Sequence, residues 1–212
     1  MDALPYAFCD SVASILNSRS LRVFRVSPGV DAIGALWKTA LEDHFINRWT
    51  LELDVTCEEA SWAFGMRRLV PNRKDWNAML EARLSEIKTL SAKYLQVTDL
   101  RFNPPGKSLF TPSERSTFTE IRSFLEFVRP FICQARLNLS LQDVDEASMQ
   151  QLMSALSAGC FRSISVDYSN VYEEFLRIQM RSERLSELVF MEECPDALKD
   201  DYERFRLRGG QI

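Results

Sequence analysis

Three stretches of this chain share one apolar pattern: Val97-x-x-Leu100-x-Phe102, Phe161-x-x-Ile164-x-Val166 and Leu185-x-x-Leu188-x-Phe190. Leu137-x-Leu139 fits the same frame, with Gln134 where the others carry an apolar residue. The steps between Leu100, Leu137, Ile164 and Leu188 are 37, 27 and 24 residues. Residues two apart in an extended chain share a face, so each stretch reads as a strand with one apolar and one polar side. Within 135–141, Leu137, Leu139 and Leu141 face one way, while Arg136, Asn138 and Ser140 face the other. Within 161–168, Ile164, Val166 and Tyr168 oppose Ser163, Ser165 and Asp167. Residues 49–55, 94–102 and 185–191 are β-like in the same way.

Between these runs the apolar period changes to that of a helix. Trp76, Met79, Leu80, Leu84 and Ile87 form one stripe, with Asp75 as its expected cap. Thr111-Pro112-Ser113-Glu114 has the form of a capping box with proline at the first helical position, ahead of Phe118, Ile121, Leu125 and Val128. Pro130 should stop that helix. The segment from Asp143 to Glu146 opens another, with Met149, Leu152, Met153 and Leu156 as its stripe and Gly159 at its end. Asn170 with Glu173 starts a third before Phe175 and Ile178, and a last one from Pro195-Asp196 buries Leu198, Tyr202 and Phe205. Strands separated by single helices pair in parallel, because a parallel neighbour requires a crossover.

Composition narrows the class. The chain has 212 residues, 46% hydrophobic and 26% charged, which is enough to bury a core without staples. No apolar run approaches the roughly 18 residues of a membrane helix, and the opening Met-Asp-Ala-Leu-Pro has no basic region of a secretory signal. The expected location is therefore cytoplasmic or nuclear, without a membrane. A net charge of −4 argues against a protein built to hold nucleic acid. Cys9, Cys57, Cys133, Cys160 and Cys194 are widely spread with no C-x-x-C pair, so they read as reduced thiols rather than as a metal or disulfide framework. His44 is the only histidine, so histidine-dependent catalysis would rest on that residue alone. Seven glycines, with neither G-x-G-x-x-G nor G-x-x-x-x-G-K-[ST], leave no visible phosphate-cradling loop. No cofactor, no metal and no enzymatic activity are expected.

The strand frame resembles that of leucine-rich repeats, which carry L-x-x-L-x-L on each strand and recur about every 20–29 residues. The steps of 27 and 24 fall in that window and the step of 37 does not. The Asn or Cys that closes the turn in such repeats is absent here. What this resemblance implies is a curved, mostly parallel sheet with helices on one side. Asn138, Ser140, Ser163, Ser165, Asp167 and Glu187 would then line its open face, where repeat proteins present binding surfaces.

The first forty residues carry a second pattern. Leu4-Pro5 is followed after six residues by Val12 and after three more by Leu16, while Phe8, Val12 and Ile15 read as one apolar helical face. Val26-Ser27 and Leu36-Trp37 follow. This resembles the F-box, which reads Leu-Pro-x6-Ile-x3-Leu and later carries Val-Cys/Ser and Leu-Trp. The opening is also similar to the divergent nematode F-box-associated families. Pro28-Gly29-Val30 stand where the F-box pattern has a tryptophan, and the interval from Val26 to Leu36 is shorter than usual. The resemblance implies that Leu4, Pro5, Val12, Leu16, Leu36 and Trp37 dock on the Skp-type adaptor of a cullin–RING ubiquitin ligase, while the sheet face takes a protein target. A second reading has the same helices packing on this chain's own sheet and capping it. The expected architecture is thus α/β, with an F-box-like helical segment at 1–48 and a leucine-rich-repeat-like domain at 49–212. Its expected role is protein–protein recognition, with or without a ligase.

Overall fold

The computed structural model describes residues 6–16, 20–21, 23, 34–58, 61–70, 78–104, 114–141 and 144–211. Two compact units divide the chain, one from residues 1–50 and 84–96, the other from 51–83 and 97–212.

The first unit is built on two helices, α1 (Tyr6–Ile15) and α2 (Ala35–Asn47). Cys9, Ala13, Leu21, Ala40 and Leu41 form its buried cluster, with Leu16, Trp37 and Phe45 packed partly against it. The face of α1 that turns inward is therefore Cys9 and Ala13, not Phe8, Val12 and Ile15. Residues four apart stack on one side of a helix, and small side chains there let α1 and α2 approach closely. That choice turns Phe8 and Ile15 outward, where both are exposed, and leaves Val12 half-buried. A short helix α3 (Leu84–Thr89) also belongs to this unit and buries Ile87. The longer helix expected across Trp76–Ile87 is not found. Ala78–Glu81 is instead strand β3, while Asp75 and Trp76 lie outside the described residues. Pairing with a neighbouring strand has overridden the helical spacing of Met79 and Leu80.

The second unit is α/β. Its strands are β1 (Trp49–Glu58), β2 (Ser61–Val70), β3, β4 (Leu95–Asn103), β5 (Glu114–Ser116), β6 (Ile132–Leu139), β7 (Cys160–Val166) and β8 (Glu187–Phe190). They form one sheet in the order β3-β2-β1-β4-β6-β7-β8, with β5 on β2. Strands β4, β6, β7 and β8 run parallel, as the single-helix spacing requires. The other end differs from expectation: β3 and β5 both pair antiparallel with β2, along Arg67–Val70 and Trp62–Phe64 respectively. The run 61–70 did not read as a strand because Gly65 and Arg67-Arg68 interrupt it. Its Trp62, Phe64 and Met66 nonetheless alternate inward and are buried.

The register of the parallel half follows the sequence frame over its last three positions and shifts before them between β4 and β6 and between β6 and β7. Leu100 pairs with Leu137, Leu137 with Ile164 and Ile164 with Leu188; Phe102, Leu139, Val166 and Phe190 make the next row. Gln134 falls out of this frame as a bulge. Cys133 pairs with Cys160 and Ala135 with Phe161, leaving Gln134 between them at φ 59°.

The crossovers carry α4 (Phe118–Val128), α5 (Glu146–Leu156) and α6 (Glu173–Arg181), and α7 (Lys199–Leu207) follows β8. Successive strands step in one direction, and right-handed crossovers then place these helices on one face. The capping box of α4 lies six residues later than its expected position. Thr117 Oγ1 accepts from the Glu120 N–H, and Glu120 returns the bond to Thr117 N–H. Glu114–Ser116 is β5, and Thr111, Pro112 and Ser113 lie outside the described residues. Helix α4 packs on β2 by stacking Phe124 on Phe64, with ring centres 4.7 Å apart. Asp145 caps α5 by accepting from Ser148 N–H at 2.8 Å. Ile178 of α6 is exposed, since Phe175, Leu176, Gln179 and Met180 form the buried stripe. Gly209 adopts φ 92° and ends α7, and a Cβ on Gly210 would stand 2.3 Å from the Phe205 ring. The close turn lets Gln211 bridge in parallel to Glu187.

Candidate functional site

Two surfaces carry the residues singled out by the sequence, one in each unit. In the helical unit, Leu36 is exposed and stands next to Trp37, whose ring meets Phe8 edge-on at 6.1 Å. Ile15 is 61% exposed, Phe8 48% and Leu36 45%. Large apolar side chains are thus turned to solvent at both helices. Leu16 and Trp37 instead pack partly against the unit's own cluster, and Val12 is half-buried. Leu4, Pro5 and Val26-Ser27 lie outside the described residues.

The same unit holds a polar cluster that the sequence did not announce. Arg48, at the end of α2, is buried, and its guanidinium donates to the carbonyls of Ala13 (2.7 Å), Ser14 (3.1 Å) and Leu16. It thereby satisfies the carbonyls that end α1. Burial pulls the Arg48 pKa down to about 10, still well above neutrality. Arg48 also donates to His44 Nδ1 at 3.1 Å. A guanidinium only donates, so Nδ1 accepts and Nε2 carries the proton toward Asp10 Oδ1, 3.1 Å away. Burial, then Arg48, holds the His44 pKa below its usual value. Its ring lies edge-on to Tyr94 at 5.2 Å. Both ring nitrogens are thereby engaged, and the partners of His44 are Asp10, Arg48 and Tyr94 rather than the cysteine that nucleophilic chemistry would use. Around them, Lys93 reaches Asp10 (3.2 Å) and Asp43 (3.4 Å), and Tyr94 donates to Asp43. The bond from Tyr94, then the nearby Lys93, keeps the Asp43 carboxyl below the usual range. The i, i+4 spacing of His44 and Arg48 was visible, but their partners on α1 and beyond Thr89 were not.

On the sheet, the polar face carries several separate sets of hydrogen bonds and ion pairs. Ser163 Oγ donates to Glu187 Oε2 at 2.7 Å across register partners, and Ser140 Oγ donates to Asn138 Oδ1 at 2.8 Å. Asn138 sits beside Ser165, whose hydroxyl contacts Met191 Sδ at 3.4 Å. Asp167 lies just past β7, with its N–H donating to Leu139 O at 2.8 Å. All six of these side chains are half-buried. The face extends onto β4 and β1, which sequence reading left out. Asp99 accepts from Arg136 Nε (2.9 Å) and from Arg101 (3.4 Å), Arg101 reaches Glu52 (3.3 Å), and Asn103 donates to Asp54 (2.8 Å). Glu52, Asp54, Asp99 and Asn103 are buried. The alternation of Glu52 and Asp54 with Leu51, Leu53 and Val55 is the signal that could have found them.

Among the described residues no group of three or more His, Cys, Asp or Glu side chains is placed to hold a metal ion, and no helix is long and apolar enough to cross a membrane. Compared with known proteins, the chain matches no family model, no curated protein and no solved structure.

Proposed function

We propose that this chain is a protein–protein recognition module that docks through its helical unit on a Skp-type adaptor of a cullin–RING ubiquitin ligase and presents its parallel sheet to a protein target. The observation that carries the reading is the outward placement of Phe8, Ile15 and Leu36. Large apolar side chains exposed on a small helical unit gain by being covered, and a partner protein is the ordinary cover. The parallel strands are read as a leucine-rich-repeat-like scaffold because Leu100, Leu137, Ile164 and Leu188 share both a sequence frame and a register row. Its polar face suits another polar surface. Half-buried hydroxyls and carboxylates already oriented by each other lose little freedom when a partner's donors replace water.

The packing of Leu16 and Trp37 against Cys9, Ala13, Ala40 and Leu41 favours a second reading, a stand-alone interaction scaffold with no ligase link. Pull-down of the full chain by purified adaptor separates the two. Docking predicts a complex that Ile15→Asp and Leu36→Asp abolish while leaving the far-UV circular dichroism unchanged. Absence of a complex with the unaltered chain leaves the scaffold reading.

A further inference from the structure

We propose that Cys133 and Cys160 are a redox-active thiol pair that closes to a cross-strand disulfide when oxidised by a hydroperoxide. The two cysteines are register partners on the parallel strands β6 and β7. Neighbouring strands lie about 4.8 Å apart, which falls within the roughly 4.4–6.8 Å between Cα atoms that a disulfide spans. Both thiols are free and half-buried, whereas Cys9 and Cys57 are buried.

The pairing depends on a strained residue. Continuing the register back from Ala135 and Phe161 without a bulge would set Gln134 opposite Cys160. The extra residue, held at φ 59°, moves Cys133 into that place. Gln134 is the one residue other than glycine with positive φ among the described residues. Such outliers persist where the surroundings over-determine them, often at sites that work.

A cation completes the arrangement. The guanidinium of Arg184 donates to the Cys160 sulfur, and Arg184 N–H is itself held by Ser182 Oγ at 3.2 Å. Arg184 is a positioning residue, placed to donate to the Cys160 sulfur and then to the sulfenate oxygen that forms on it.

In the first step the Cys160 thiolate attacks one peroxide oxygen. The S–O bond forms, the O–O bond breaks, and the departing oxygen takes a proton to leave as water or an alcohol. In the second step Cys133 attacks the sulfenic sulfur. The S–S bond forms, the S–O bond breaks, and water leaves with the proton from Cys133. Two thiols lose two electrons, and the hydroperoxide gains them.

The test is treatment of the full chain with equimolar hydrogen peroxide, followed by intact mass and non-reducing peptide mapping. The proposal expects a loss of two hydrogens and a linked peptide joining Cys133 to Cys160. Cys133→Ser should trap a dimedone-reactive sulfenate on Cys160. Arg184→Gln should slow closure about three- to tenfold, and Arg184→Lys should restore most of the rate. Links that involve Cys194 equally, or oxidation of Cys160 beyond sulfenate while Cys133 stays free in the unaltered chain, overturn it. Equal rates for the Gln and Lys variants overturn the part given to Arg184.

Discussion

Burial and the Arg48 guanidinium hold the His44 imidazole neutral in the folded chain, while in the unfolded chain it titrates near its ordinary value of 6.5. The unfolded state therefore binds the extra proton first. The stability that His44 contributes is present above about 6.5 and is lost as the pH falls below it. No other histidine exists to blur this window. Asp43, with its pKa lowered by Tyr94 and Lys93, loses its contribution only in the acidic carboxylate range. Urea unfolding at pH 7.5 and 5.5, followed by hydrogen exchange in α1 and α2, should show the helical unit weakening on acidification. His44→Gln should lower stability at pH 7.5 and shrink the difference between the two pH values. A helical unit that strengthens at pH 5.5 contradicts the neutral assignment.

At Gln134 the backbone itself is the cost. A left-handed conformation costs an L-residue about 1–2 kcal/mol, and glycine avoids that while adding up to about 1 kcal/mol of unfolded-chain entropy. Gln134→Gly should therefore be neutral or slightly stabilising, and Gln134→Val should cost about 1–2 kcal/mol because a β-branched residue tolerates positive φ worst. Thermal melting of the three proteins checks the order Gly, Gln, Val; a Val variant as stable as the original would remove the bulge from the account.

Helix α4 begins where Thr117 and Glu120 cap each other, so Thr117→Ala should cost about 1 kcal/mol in chemical denaturation, and Asp145→Ala about as much at α5. Thr119→Ala, on the exposed side of α4, should be silent. On β6, Leu137→Ala removes a fully buried side chain and should cost about 2–5 kcal/mol, whereas Asn138→Ala should stay within about 0.5 kcal/mol.

These elements also show what a sequence can reveal. Leu100, Leu137, Ile164 and Leu188 were legible as one row because each strand of a parallel sheet with one covered face shows the same two-residue alternation, although the steps between them vary from 24 to 37 residues. The strands of the antiparallel end were not. Ala78–Glu81 carries helix-spaced Met79 and Leu80, and only its partner β2 makes it a strand. The start of α4 was misplaced because Thr111–Glu114 and Thr117–Glu120 both have the capping pattern, and local chemistry alone does not choose between them. On α1, Phe8, Val12 and Ile15 are legible as one apolar face, but the inward face is set by Cys9 and Ala13, whose small side chains suit close approach of two helices. The His44 cluster joins residues more than thirty positions apart, beyond the reach of any local pattern.

At the scale of the whole molecule, two units share one chain with different surfaces: a helical unit with large apolar residues turned out, and a sheet whose apolar side is covered and whose polar side is pre-ordered. The division of labour proposed here assigns the adaptor to the first and the target to the second. Removing apolar surface from the helical unit should leave the sheet's polar face untouched, because none of the Ser163–Glu187, Asn138–Ser140 or Asp99–Arg136 contacts involves α1 or α2. The most direct measurement is hydrogen–deuterium exchange of the full chain with and without purified Skp-type adaptor. Docking through Phe8, Ile15 and Leu36 predicts slowed exchange in 6–15 and 35–47, with β6, β7 and β8 unchanged. Unchanged exchange in both helices at saturating adaptor, or protection confined to the sheet, contradicts it.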